Sequence, residues 1–388
     1  VSFPRVLLWS TRPLVASTAI AASLTASLSG AVIANAADQI IQAGSPRSTA
    51  ALENETGTTE VIPVAAAVTE TPVLAPSVPE FIPLIKGKEL DGWVVQEGKL
   101  SAWTREGDTI SCTSAAGGWL RTEAEYSDFE LKLEYRLQAG GNTGIGLRAP
   151  ATGNPTFTGI EIQLLDDESP KYTGLRDDQY TGSLYYQVPA SKRAVLKPVG
   201  EWNQCEVRCL GDQLTIKIND EVVNEVTLNR RNNDAVGSEQ PKPRYSLAQR
   251  PPVGHIALQS HSTRVDFRKI ELKDLTVHTD SGLQYVDLKN GDGDEVKNPR
   301  TVTVHYVGQL LDGKRFTDTR DAGTPITVAL ASVIPGWQEG IQGMKVGGRR
   351  RLIVPSTLAY GTAGIADVIP ADSTLVFEIE LCGFEKGE

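Results

Sequence analysis

Several things are scarce in this sequence. Its 388 residues include one methionine, four cysteines and four histidines. Four cysteines in that length exclude a disulfide-held scaffold. Four histidines leave no basis for a His-cluster metal site. Basic residues are short as well: Lys plus Arg number 38 against 48 Asp plus Glu, a net charge of −10. A chain with this balance lacks the basic face that phosphate-backbone binding needs, so nucleic acid is not an expected partner. Beyond the amino terminus no apolar run approaches the ~20 residues of a membrane-spanning helix. Convincing long helices are missing too.

What is present is a 40% hydrophobic fraction with 36 glycines and 22 prolines. That is enough apolar matter for folded cores, punctuated as a turn-rich β protein is. The length allows two or three domains. Arg5 and Arg12 precede an apolar, small-residue run from Leu14 to Leu28, followed by Ala34-Asn35-Ala36. This is the layout of a secretory signal peptide over residues 1–36, with cleavage after Ala36. It predicts an exported protein, periplasmic or extracellular, with no membrane span once the signal is removed. Residues 37–80 are rich in Thr, Ala, Val, Glu and Pro and contain no aromatic residue. Such a stretch cannot bury enough apolar surface to order itself and reads as a disordered linker. It also carries much of the acidity, −5 over residues 38–80.

From Phe81 onward, short segments alternate apolar and polar residues at period two. Phe129–Leu137 and Leu214–Ile218 do so cleanly, and Val265–Leu272 does so with one slip. Period two means half-buried antiparallel strands, and many of them over residues 81–277 predict a β-sandwich. A second pattern over residues 280–388 predicts strands at 301–309, 349–354 and 374–382. It also predicts a short helix after Pro335, where a missing N–H costs nothing. Val333, Ile334, Trp337 and Ile341 would supply that helix's apolar face. Arg349-Arg350-Arg351 reads as a solvated strand edge. Cys112, Cys205 and Cys209 read as buried thiols, and Cys382 as packed in the C-terminal core.

The C-terminal motifs run in order: Val304-His-Tyr-Val-Gly308, Asp312-Gly-Lys-Arg-Phe316, Val333-Ile-Pro-Gly-Trp-Gln-Glu-Gly340, Leu358-Ala-Tyr-Gly361, Ile369-Pro370 and Leu375-Val-Phe-Glu-Ile-Glu-Leu381. Residues 280–388 resemble the FKBP-type peptidyl-prolyl cis-trans isomerases from end to end. The resemblance implies an α+β domain, an antiparallel sheet wrapped on a short helix, that isomerises X–Pro bonds in polypeptides without a cofactor. It places Tyr306, Phe316, Val333, Ile334, Trp337, Tyr360, Ile369 and Phe377 in the catalytic cup. Two departures stand out: Thr317 where the family has Asp, and Ile326 where it has a second aromatic wall.

The preceding region carries Gly-Lys-Glu-Leu-Asp-Gly-Trp93, Asn142-Thr-Gly-Ile-Gly-Leu-Arg148, Gly159-Ile-Glu-Ile-Gln-Leu-Leu-Asp166 and Gly254-His-Ile-Ala-Leu-Gln-Ser-His261. It resembles the 3-keto-disaccharide hydrolase family, with a concanavalin-like jelly-roll fold. The overall fold class is therefore mainly β: a jelly-roll sandwich followed by an α+β domain. The second resemblance implies a carbohydrate partner, with Asn142, Arg148, Glu161, Gln163, Asp166 and His261 as candidate sugar-site residues and a possible divalent metal. Glu161 and Gln163 share a strand face, and a bulge would return Asp166 to it. Two readings follow. One is an exported prolyl isomerase carrying a carbohydrate-binding or carbohydrate-active module. The other is a secreted 3-keto-glycoside hydrolase or lyase with an accessory FKBP domain.

Overall fold

A computed structural model describes residues 79–387 apart from 114, 229–246 and 262. The expected signal peptide and nearly all of the linker lie outside the described residues.

In the amino-terminal half the strands are β1 (Ile82–Pro83), β2 (Trp93–Gln96), β3 (Trp103–Glu106), β4 (Thr109–Cys112), β5 (Trp119–Thr122), β6 (Phe129–Leu137) and β7 (Asn142–Ala149). They continue with β8 (Ile160–Leu165), β9 (Asn203–Leu210), β10 (Gln213–Ile218), β11 (Glu221–Thr227), β12 (His255–Gln259) and β13 (Val265–Asp274). The carboxy-terminal half has β14 (Val277–His278), β15 (Gln284–Lys289), β16 (Pro299–Leu310), β17 (Arg315–Asp318), β18 (Ile326–Ala329), β19 (Arg349–Val354) and β20 (Leu375–Lys386). Among the described residues helices are few: α1 (Pro155–Thr158) and α2 (Pro335–Gly340) besides short 3-10 turns.

The first half is a sandwich of two antiparallel sheets. One runs β11-β10-β9-β6-β13-β4-β3 with β1 added on β13; the other runs β2-β5-β12-β7-β8. Alternation explains the layering. In β6, Phe129, Leu131, Leu133, Tyr135 and Leu137 are buried in the inter-sheet core, while Glu130, Lys132 and Arg136 face out. The slip in β13 is a bulge: its pairing with β6 shifts between Arg268 and Glu271, and Lys269 takes φ +48°. The bulge lets Ile270 and Leu272 return to the core after Phe267. Asn219 and Asp220 both adopt positive φ between β10 and β11, as a two-residue hairpin turn requires.

The second half is one sheet, β14-β15-β19-β20-β16-β17, with β18 also on β16. It wraps α2, which starts at Pro335 and buries Trp337, with Ile341 fully buried just after it. Val333 and Ile334 lie before the helix, Ile334 as its N-cap, and are buried on the same core. β14 belongs to this sheet, so the sandwich's last strand ends at Asp274.

Two expectations are corrected here. Arg349–Arg351 is no solvated edge, because β19 lies between β15 and β20 and Arg350 and Arg351 are only 6% and 3% exposed. Cys382 does not pack in the core: Leu381 takes the inward position and Cys382 is exposed. Cys112, Cys205 and Cys209 are buried and lie outside any disulfide, as expected.

Candidate functional sites

The first site lies on the concave side of the C-terminal sheet. Tyr306 comes from β16, Phe377 from β20 and Trp337 from α2. Gly308 pairs with Phe377 in register, and a Cβ on Gly308 would lie 2.6 Å from the Phe316 ring. Glycine is therefore what admits Phe316 to this face. The rings meet edge-on: Tyr306–Trp337 at 4.8 Å and 86°, Trp337–Phe377 at 5.4 Å and 89°, and Phe316–Phe377 at 5.9 Å and 83°. Edge-to-face packing is the favoured arrangement of aromatic quadrupoles.

The result is a cup of about 300 Å³, counted to its open mouth. Tyr306, Ile326, Val328, Val333, Ile334, Trp337, Tyr360 and Phe377 line it, with no charged side chain among them. Six of the eight expected cup residues are thus in the wall itself. Phe316 backs it through Phe377, and Ile369 is buried in the same core. Val328 was not anticipated, although alternation along β18 puts it on the same face as Ile326. Burial raises the Tyr306 and Tyr360 hydroxyls above their ordinary pKa. Thr317, in the family's Asp position, hydrogen-bonds Tyr306 through its side chain. Asp318 turns away from the cup and pairs with Arg315 at 3.6 Å.

The second site is on the outer face of the sandwich's five-stranded sheet. Ile160, Ile162 and Leu164 point into the core, so Glu161 and Gln163 point out on β8. Glu161 is nevertheless 3% exposed. It stands opposite Gly146, around which Trp119, Pro155 and Ala257 crowd. A Cβ on Gly144 would come within 2.5 Å of Glu161 Oε1. The two glycines of the Asn-Thr-Gly-Ile-Gly motif therefore clear room for the carboxylate and its neighbours.

Gln259 Nε2 donates to Glu161 Oε1 at 2.9 Å, while Oε2 has no partner among the described residues. Burial pushes the Glu161 carboxyl up to about 7, against smaller lowering by side-chain hydrogen bonds from Thr156 and Gln259. Gln163 Nε2 donates to Asn142 Oδ1 at 3.0 Å on the same face. Gln259 and Thr156 were not anticipated. The alternation His255, Ala257, Gln259 along β12 is the signal that could have found Gln259.

The other candidates lie elsewhere. β8 ends at Leu165, and Asp166 turns to accept from Gly140 N at 2.8 Å instead of returning to the Glu161 face. His261 follows β12 and is exposed as a residue. Partial burial and the Lys171 charge lower its pKa, and Lys171 itself reaches Gly140 O. Arg148 leaves the face altogether. The β7–β12 register shifts between His255 and Ala257, Arg148 takes φ +47°, and its guanidinium donates to Ser127 O and Gly211 O. Among the described residues no three His, Cys, Asp or Glu side chains converge to hold a metal ion.

Comparison with known proteins finds a family for each half of the chain. Residues 80–273 match the family described as 3-keto-alpha-glucoside-1,2-lyase-like domain, and residues 293–382 match FKBP-type peptidyl-prolyl cis-trans isomerase. Over 108 residues the chain is 49% identical to the FKBP-type isomerase FkpA of Aeromonas hydrophila, covering 28% of this chain and 40% of that protein. It is 45% identical over 102 residues to an FK506-binding protein of Neisseria meningitidis, covering 26% of this chain and 94% of that one. A solved Parabacteroides distasonis protein assigned to the glycosyl hydrolases aligns along its whole length with 50% of this chain, at 25% identity and a TM-score of 0.45. The chain spans less than half of the FkpA protein it matches.

Proposed function

The chain belongs to the FKBP-type peptidyl-prolyl cis-trans isomerases through residues 293–382 and to the 3-keto-alpha-glucoside-1,2-lyase-like family through residues 80–273, and on that premise we propose that it isomerises X–Pro bonds in exported polypeptides. The observation that carries this reading is the uncharged aromatic cup. Rotation about an X–Pro bond crosses a barrier of ~18–20 kcal/mol because amide resonance must be broken. The twisted amide has lost that resonance, and its carbonyl is less polar. A dry apolar cup therefore disfavours the planar amide relative to the twisted one, which is catalysis by differential binding.

In this reading Trp337 is the floor under the proline ring, with Tyr306 and Phe377 as edge-on walls. The Ile334 N–H at the N-cap of α2 and the Tyr360 hydroxyl hold the substrate backbone. Thr317 keeps the Tyr306 hydroxyl in place without adding charge. Export rests on the amino-terminal sequence pattern. None of the described helices is long and apolar enough to cross a membrane. A protease-coupled assay of the full chain on a short proline peptide tests the proposal. A cis-to-trans rate well above background is expected, and a background rate refutes it.

One observation favours a second activity in the sandwich. Glu161 is buried, has one oxygen unpartnered among the described residues and titrates near neutrality. That suits a base that removes a proton beside a sugar carbonyl, with Asn142 and Gln163 to bind hydroxyls. Incubation with a 3-keto-glycoside should release the free sugar, and E161Q should abolish release. No turnover, with glycan binding retained, would reduce the sandwich to a binding module.

A further inference from the structure

We propose that the sandwich is the fixed back plate of the isomerase sheet, and that Asp128 of the sandwich is a positioning residue for the proline cup. The two domains have almost no linker. β13 ends at Asp274 and β14 begins at Val277, leaving Leu275 and Thr276 between them. Both are held: Leu275 N donates to Asp128 O and Thr276 N to Asp274 Oδ1, each at 2.9 Å.

Asp128 is the centre of the junction and is fully buried. Its carboxylate receives Gly211 N and the Ser127 hydroxyl, with Arg148 at 3.5 Å. From the other domain, Arg351 Nη1 donates to it at 3.1 Å. Arg351 Nη2 donates to Glu378 on the neighbouring strand β20. Two acids and two arginines thus form one alternating set spanning the domains, with Asp128, Arg148 and Arg351 buried and Glu378 half-buried. Burial alone would raise the Asp128 carboxyl, but Arg351 and Arg148 outweigh it and hold it below the usual carboxylate value.

The contact extends on both sides. Arg349 reaches Asp212 at 3.3 Å. Gly313, at φ +85° in the turn between β16 and β17, sits so that a Cβ would lie 2.8 Å from Gln249 O and 3.0 Å from Arg250 O. The docked strands carry the cup on their opposite face. Arg351 pairs with Glu378, and their chain neighbours Leu352 and Phe377 pair on the concave side. Two residues past the turn, Arg315 lines the junction while Phe316 packs on Phe377. Pleating makes this obligatory, since successive side chains leave a strand on opposite faces. Neutralising Asp128 leaves two buried arginines facing one acid, an imbalance met by strand movement or by water entry.

The activity arm of the test rests on the isomerase reading; the unfolding arm does not. In calorimetry of the full chain, the wild type should unfold both domains in one transition, and D128N should separate them into two. D128N should also raise the KM for a proline peptide at least threefold, because a displaced wall grips the ring less well. Simple loss of folded protein would lower kcat at constant KM. Should D128N fail to fold, Gly313→Val pushes the hairpin off the sandwich carbonyls and should raise KM in the same direction. Two independent transitions in the wild type would overturn the back-plate proposal. Unchanged KM in both variants would overturn the positioning role. An inactive wild type would refute the isomerase reading and leave the calorimetric result to decide the docking.

Discussion

The C-terminal cup is walled by aromatic and aliphatic side chains and no charge, whereas the sandwich face holds one buried carboxylate among amides and a hydroxyl. In the proposed reading the cup acts through shape and dryness, so its chemistry is spread over many side chains. The proposed activity of the sandwich face depends instead on the protonation of one carboxylate, Glu161. A distributed site should survive pH change and loss of a hydroxyl but not loss of its floor. A concentrated one should respond to pH and to one substitution.

Loss of the floor is the largest expected effect. W337L keeps an apolar core but removes the ring that meets Tyr306 and Phe377 edge-on. It should cost about 100-fold in isomerase kcat/KM, close to 3 kcal/mol, as read in a coupled assay. A loss under about threefold would show that the ring is not the proline platform.

E161Q tests the concentrated site through stability. The folded carboxyl titrates near 7, above its ordinary 4.5. The folded state therefore binds the proton more tightly, and this contribution is complete below pH 4.5 and lost as pH rises through about 7. Glutamine removes that loss. E161Q should match wild-type stability at pH 4.5 and exceed it at pH 8 by up to about 3 kcal/mol, measured by denaturant titration. Equal stability at both pH values would place the carboxyl outside its buried setting.

Y360F is the smallest expected effect. One neutral hydrogen bond is worth about 0.5–1.5 kcal/mol, so kcat/KM should fall only a few-fold. A 100-fold fall would mean that the cup works through one hydroxyl and not through its shape.

The cup was legible in the sequence because its parts are rare residue types at ordered spacings, Trp337 after Pro335 and the glycine-flanked aromatics above all. Strand alternation likewise reveals the sandwich core, down to the slip in β13. Asp166 and Arg148 were misplaced for a shared reason. Period two assigns a face only while a strand continues, and β8 stops at Leu165 while β7 bulges at Arg148. The Arg349–Arg351 run was misread because nothing local shows that β19 is interior, nor that Asp128, some 220 positions earlier, supplies the countercharge. Partners that distant leave no local pattern.

The most direct test of the cup's uncharged chemistry is the cis–trans exchange rate of a proline peptide, followed by NMR with the full chain at pH 5.5 and pH 8. No cup side chain titrates between these values, since both tyrosine hydroxyls are pushed up by burial and Thr317 replaces the carboxylate. The account predicts clear acceleration, equal within about twofold at the two pH values. No acceleration, or acceleration that changes steeply around pH 7, would contradict it.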